Sequence, residues 1–133
     1  MIERDLQIVS DLSQITEVER FIIKFSEEYG IHEGVYGNML IAVTEAVTNG
    51  ILHGNQNDII KHVKLVFSYT PTKVICTVAD MGGGFDLQLT QFEPDPSDLL
   101  IKPHGRGIFL MRQLSDYIEF KNSGSTVLME FKI

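Results

Sequence analysis

The sequence has 133 residues, 44% of them hydrophobic, which suits one domain with its own core and is too short for two ordinary domains. Its 11 basic and 18 acidic residues give a formal net charge of −7, which argues against a partner recognised through attraction to nucleic acid or to an anionic membrane. We therefore expect a single domain, residues 1–133, that binds a protein or a small ligand.

The first third of the chain predicts a short strand and a helix. Leu6, Ile8 and Ser10 alternate with polar positions, which is typical of a strand, and a turn is expected over 11–13. Apolar residues then recur every three or four positions over 14–29, which predicts an amphipathic helix that ends at Gly30.

A second helix is predicted over 33–53, with Gly54 in a left-handed conformation just beyond its C-terminus. Its apolar side holds Tyr36, Leu40, Val43, Val47 and Ile51. Glu45 lies off this apolar side, so we expect its carboxylate to face a cleft or solvent. Because a helix turns by roughly 100° per residue, Asn49 projects from the same side as Glu45.

The middle of the chain predicts a hairpin of strands 61–69 and 73–79, joined by a turn over 70–72 and leading into Asp80. Cys76, the only cysteine, lies inside the second of these strands, so no disulfide can form within the chain. We expect it to be a small buried core residue in a reducing compartment.

Residues 86–104 contain three of the four prolines and have no sustained hydrophobic period. Because a connection this long within a domain is usually functional or disordered, we interpret it as a lid. A helix over 106–115 and strands over 117–121 and 126–132, with a turn over 122–125, complete the pattern. The fold class expected is α+β, a two-layer sandwich of a mixed or antiparallel sheet with helices on one face.

The start of the sequence lacks the basic region and apolar core of a signal peptide. No apolar run approaches the roughly 18 residues of a membrane span. We therefore expect a cytoplasmic protein with no membrane partner.

Glu45 and Asn49 combine two groups useful in phosphoryl transfer. A carboxylate can take a proton from an attacking hydroxyl. A carboxamide oxygen is a neutral ligand that Mg²⁺ accepts beside waters and substrate phosphates. Glu45 and Asn49 are therefore suited to an ATP and Mg²⁺ site, which they predict only in combination with the glycine clusters that follow.

Two glycine clusters add the remaining parts of a nucleotide site. Asp80 can accept from the exocyclic amino group of adenine, while Gly82 and Gly84 let the backbone approach the base. Gly105 and Gly107 can present backbone N–H groups to phosphate at the start of the following helix, and Arg106 and Lys102 can add positive charge.

Other phosphate and metal motifs fit poorly. The sequence has no P-loop, and Leu110 stands where the third glycine of a dinucleotide fingerprint would fall. The four histidines show no zinc spacing, and we interpret His53 as packing near a helix end more readily than as a site group.

The segments 45–53, 80–84 and 105–107 resemble the N, G1 and G2 boxes of the GHKL (Bergerat-fold) ATPases, in order and spacing across nearly the whole chain. Segments 44–49 (TEAVTN) and 105–112 (GRGIFLMR) most resemble the bacterial anti-sigma factor serine/threonine kinases. Two departures are Gly50, where the family often has alanine, and Leu110 in place of a third glycine.

The resemblance implies ATP and Mg²⁺ as cofactors and a role for each matching residue. Glu45 is the catalytic base and Asn49 the metal ligand, and Asp80 contacts adenine. Thr126 resembles the hydroxyl that helps this aspartate hold adenine through water. The implied ATP-binding positions are Asn49, Asp80, Gly82, Gly84, Gly105, Arg106, Gly107 and Thr126.

The same resemblance implies a regulator that binds a sigma factor and phosphorylates a STAS-domain anti-anti-sigma factor, and dimerisation to a homodimer is common in that family. Histidine kinase domains typically have asparagine in place of Glu45. A neutral imidazole attacks phosphorus without losing a proton, whereas a serine hydroxyl benefits from a carboxylate base, so serine or threonine is the expected acceptor. Two alternatives are a nucleotide-gated binding module without kinase activity and a degenerate domain that binds no nucleotide.

Overall fold

A computed structural model describes residues 1–82 and 103–133, with only the backbone described for 103–105. Five antiparallel strands form one sheet in the order β1-β2-β3-β5-β4. Their bounds are β1 Ile2–Val9, β2 His62–Tyr69, β3 Lys73–Ala79, β4 Tyr117–Lys121 and β5 Thr126–Lys132. The last two strands have the predicted bounds, while β1 is longer than its apolar alternation indicates.

Among residues 1–82 and 103–133, three helices cover one face of the sheet, which confirms the expected α+β class. The strand pairing is antiparallel and not mixed. The helices are α1 Ile15–Glu28, α2 Glu33–Asn49 and α3 Pro103–Leu114. Gly30 follows α1 with φ +62°, the left-handed conformation that glycine adopts without strain. In the part of the chain that the structure describes, no helix has the length and apolar character needed to span a membrane.

The core lies between the helices and alternate residues of the inner strands. Buried positions of β2, β3 and β5 follow the two-residue period of a sheet with one covered face. Cys76 is fully buried in this core, as predicted, and burial raises the pKa of its thiol well above the usual value. The inward strand residues are Val63, Leu65, Phe67, Val74, Cys76, Val78, Val127, Met129 and Phe131.

The end of α2 differs from the prediction. The helix widens into a π-helical turn, Gly50–Gly54, in which the Asn55 backbone N–H donates to the Gly50 carbonyl at 2.7 Å. Gly54 does not take the predicted left-handed conformation, which occurs instead at Gln56 and Asn57, with φ of 52° and 59°. The left-handed residues thus lie two positions later than predicted. Gly54 instead leaves room for the Asp80 carboxyl group.

Helix α3 also begins earlier than the predicted residue 106. Pro103 is its first residue, a position that suits proline because its φ is already helical and its missing N–H would have no helical partner. Gly105 and Gly107 therefore lie inside the helix and not before it. Of the predicted lid, residues 86–102 lie outside the described residues, as do Gly84 and Lys102, while 103 and 104 belong to α3.

Gly37 lies within α2, and a methyl group added there would meet no atom within 4 Å. We expect Gly37→Ala to raise the free energy of unfolding by about 0.5 to 1 kcal/mol, because alanine loses less backbone entropy in a helix. Urea denaturation would measure the change. Gly30→Ala is the matched control, since its methyl group also enters open space but its φ is +62°. It should destabilise, so a gain of stability there would contradict this reasoning.

Candidate functional site: a cleft between helices and sheet

Glu45 and Asn49 meet at one point on the inner side of α3. A Cβ atom built on Gly107 would lie 2.9 Å from Glu45 Oε2, 3.1 Å from Asn49 Nδ2 and 3.4 Å from Asn49 Oδ1. The predicted carboxylate and carboxamide therefore do converge. Gly107 is buried there, and its lack of a side chain lets the α3 backbone approach both groups.

The Asn49 amide is incompletely satisfied by the described part of the chain. Its Nδ2 atom is buried and has no hydrogen-bond partner there. A buried N–H without an acceptor costs about 1 to 3 kcal/mol, so an acceptor such as a phosphate oxygen or water would stabilise this site. The amide oxygen beside it is a suitable Mg²⁺ ligand. No cluster of three His, Cys, Asp or Glu able to hold a metal occurs among residues 1–82 and 103–133, so an ion here would rely on few protein ligands.

Three consecutive backbone N–H groups fix the segment that follows β3. Asp80 N donates to the Ser125 carbonyl at 2.9 Å, Met81 N to Asn55 Oδ1 at 2.8 Å, and Gly82 N to Asp80 Oδ1 at 2.8 Å. The first two bonds tie the segment to other parts of the fold, and the third closes a local turn on the Asp80 side chain. The Asp80 carboxylate is therefore held in one place before any ligand arrives.

Gly54 and Gly82 allow this segment to pack against the end of α2. A Cβ atom on Gly54 would overlap the Asp80 carboxyl group, with Oδ2 at 2.5 Å and Oδ1 at 2.6 Å. A Cβ atom on Gly82 would overlap the Gly54 carbonyl oxygen. At Gly82 the observed close approach is therefore to the Gly54 backbone, and the approach of Gly82 to a base stays a prediction.

A cleft lies between α2, α3 and the ends of β3 and β5. Its lining is mostly apolar and includes a few polar side chains, as in sites that hold a flat, partly apolar ligand. The wall residues include Ala46, Val78, Ile108, Met111, Phe120 and Val127, and the polar lining includes Asn49, His53, Asp80 and Ser125.

The predicted site residues do not all meet at the cleft. Glu45, Asn49, Asp80 and Gly107 surround the cleft or the point beside it, whereas Arg106 is exposed on α3 and Gly84 lies outside the described residues. Thr126 is not among the residues that line the cleft, and its hydroxyl accepts from Asn122 Nδ2 at 3.2 Å. It precedes buried Val127, so it points to the other face of the sheet.

Sequence reasoning missed Ser125 and Gly54. Ser125 lines the cleft, its carbonyl accepts from Asp80 N, and its hydroxyl donates to the Asn122 carbonyl at 2.9 Å. The available signal was the spacing to Val127, because the strand period already excluded Thr126 from the inner face.

Burial raises the pKa of Asp80 above the usual 3.8, while the hydrogen bond from Gly82 and the charge of Lys61 act in the opposite direction. Between the unfolded and folded pKa values the folded protein binds more protons, so the contribution of Asp80 to stability falls as pH rises through this window. We expect the free energy of unfolding of the parent, minus that of Asp80→Asn, to decrease from pH 3.8 upward. Urea denaturation across the window would measure this, and a constant or increasing difference would contradict it.

Comparison with known proteins gives one family and a group of bacterial relatives. The family of histidine kinase-like ATPase domains matches residues 8–131. The serine-protein kinases RsbW of Staphylococcus aureus strains JH9, Newman and JH1 are each 31% identical to the chain over 96 residues. The matched region covers 67% of this chain, which spans about 60% of the length of these relatives.

Proposed function

The chain belongs to the family of histidine kinase-like ATPase domains, as its three motifs predicted, and we propose that it is an ATP-dependent anti-sigma factor kinase. Its substrate would be a serine or threonine of a STAS-domain anti-anti-sigma factor, and it would also bind and silence a sigma factor in the cytoplasm. The convergence of Glu45 and Asn49 beside an apolar cleft that ends in Asp80 carries this proposal.

Adenine fits the cleft as its flat, partly apolar occupant. Asp80 supplies a carboxylate that can accept from the exocyclic amino group. Its Oδ1 already accepts from Gly82 N, so Oδ2 would accept from adenine. Apolar walls such as Val78 and Ile108 would contact the faces of the base. Ser125 lines the cleft and its carbonyl accepts from Asp80 N, so we propose Ser125 and not Thr126 as the residue of this turn that assists Asp80.

Mg²⁺ and the phosphates fit the other end of the cleft. Asn49 Oδ1 would hold the ion, and its buried Nδ2 would donate to a phosphate oxygen. Gly107 lets the α3 backbone reach this point, and exposed Arg106 lies one residue away. When bound, the ion would neutralise charge on the transferring phosphoryl group.

Glu45 makes a hydroxyl the preferred acceptor. Its carboxylate lies beside the amide that would hold the ion, so it can take the proton of a serine or threonine hydroxyl that approaches the terminal phosphate. The oxygen of that hydroxyl forms the new bond to phosphorus as the bond to ADP breaks. The relatives named serine-protein kinases agree with this acceptor, since transfer to histidine would need no such base.

The decisive experiment is incubation of the protein with Mg-ATP and a STAS-domain protein encoded near it, followed by intact-mass measurement. We expect the STAS-domain protein to gain the mass of one phosphoryl group. The matched reaction without Mg²⁺ should leave its mass unchanged. ATP-dependent binding of a sigma factor without any mass change would instead identify a nucleotide-gated binding module, and no binding of ATP would overturn the proposal entirely.

A further inference from the structure

Asn55 is a buried hub immediately after the π-helical turn. It is 1% exposed, and its amide is bonded on every side. Nδ2 donates to Ser10 Oγ at 2.8 Å and to the His62 carbonyl at 3.0 Å, while Oδ1 accepts from Met81 N at 2.8 Å. Asn55 therefore joins the residue that follows β1, the first residue of β2 and the segment after β3, which are three parts of the fold far apart in sequence.

The bond to Met81 reaches the nucleotide site directly. Met81 lies between Asp80, whose carboxylate lines the cleft, and Gly82, whose N–H donates to that carboxylate. Without Asn55 the Met81 N–H would lose its acceptor. The bonds that still tie this segment to the rest of the fold would be the one from Asp80 N to the Ser125 carbonyl and the longer one from His62 N to Met81 Sδ, at 3.4 Å. The position of the Asp80 carboxylate therefore depends on an amide that does not line the cleft.

Resting on the proposed function, we infer that Asn55 is a positioning residue for adenine selectivity, acting through the Met81 backbone on Asp80. A carboxylate selects adenine only if it stands within hydrogen-bonding reach of the amino group. Loss of the Asn55 bond frees the segment, and the carboxylate then spends less of its time in that place. Selectivity for the amino group, and not affinity alone, is the property that should change.

Ser10 provides a matched control for damage to the same network. Its hydroxyl accepts from Asn55 and donates to the Lys61 carbonyl at 2.7 Å, and it is as buried as Asn55. Ser10→Ala removes these bonds but leaves the bond from Met81 N to Asn55 intact. It therefore separates loss of stability from loss of positioning.

The test compares the affinity for ATP with that for purine riboside triphosphate, which lacks the amino group, by calorimetry. We expect the parent to prefer ATP by roughly tenfold or more, since a hydrogen bond to a charged group contributes about 1.5 to 3 kcal/mol. Asn55→Ala should reduce this preference to within about threefold of unity, whereas Ser10→Ala should keep it even if both variants melt at lower temperature.

The outcomes distinguish this inference from the proposed function. If the parent binds ATP selectively and Asn55→Ala weakens the binding of both nucleotides equally, Asn55 is merely structural. This result would overturn the inference and leave the proposed function standing. If the parent binds neither nucleotide, the proposed function and the inference fall together. Should Asn55→Ala not fold, Asn55→Ser is measured in its place, because its shorter hydroxyl keeps a polar group near Ser10 while withdrawing from Met81 N. An ATP preference unchanged in that variant would also overturn the inference.

Discussion

Replacing Glu45 with glutamine should lower the rate of phosphoryl transfer to the STAS-domain substrate by about 10² to 10⁴-fold, the usual contribution of a general base. Glutamine has nearly the same shape, so the contact with Gly107 that brings α3 against α2 is retained. The affinity for Mg-ATP should therefore stay within about twofold of the parent value. Initial rates from intact-mass time courses and calorimetric titrations would measure the two quantities separately.

Glu33→Gln is the matched control, because it makes the same chemical change on the same helix at an exposed position in its first turn. It should leave the transfer rate unchanged. Undiminished transfer by Glu45→Gln would remove the assignment of Glu45 as base. A loss of ATP affinity as large as the loss of rate would make Glu45 a binding residue instead.

Gly54→Ala should weaken ATP binding by roughly 100-fold or more, while most of the fold persists. The added methyl group would occupy the space of the Asp80 carboxyl group. A short side chain can turn away at modest cost, but the carboxylate then loses its place opposite the adenine amino group, a bond worth about 1.5 to 3 kcal/mol. Crowding of the neighbouring segment adds to this loss. Calorimetry with ATP would measure the affinity, and urea denaturation the stability.

Gly50→Ala is the natural control for this second change. It lies in the same π-helical turn, and its methyl group would contact Asp80 Cβ at an ordinary 3.4 Å. The resembled family often has alanine here, so we expect affinity within about threefold of the parent. If Gly54→Ala bound ATP as well as Gly50→Ala does, the carboxylate of Asp80 would not be the adenine contact.

Regular elements could be predicted from the sequence because their patterns are local. Strands β4 and β5 follow the two-residue alternation, and the pairing of Glu45 with Asn49 follows from helix geometry alone. The π-helical turn could not be foreseen in this way, because the apolar spacing over 43–51 is that of an uninterrupted helix. The turn packs against Asp80, about thirty residues further along the chain, and no local pattern indicates such a contact.

The errors at the site have the same origin. Gly54 after a helix has the pattern of a C-terminal cap, and its actual purpose depends on a carboxylate from another element. Asn55 was not singled out from the sequence, because its burial arises only where three distant segments meet on it. Ser125 lines the cleft and Thr126 does not, because β5 begins at Thr126 and its first inward position is Val127. The role expected for a hydroxyl at this point stays a prediction.

The three anchored N–H groups at 80–82 have a consequence for how nucleotides are told apart. A preorganised receptor for the base needs little ordering when it binds, so adenosine, ADP and ATP should gain the same interactions there. Discrimination by the number of phosphates would then depend on the part of the cleft beside Asn49, whose Nδ2 has no acceptor among the described residues. The base and the number of phosphates would in this way be recognised at two separate places within one small protein.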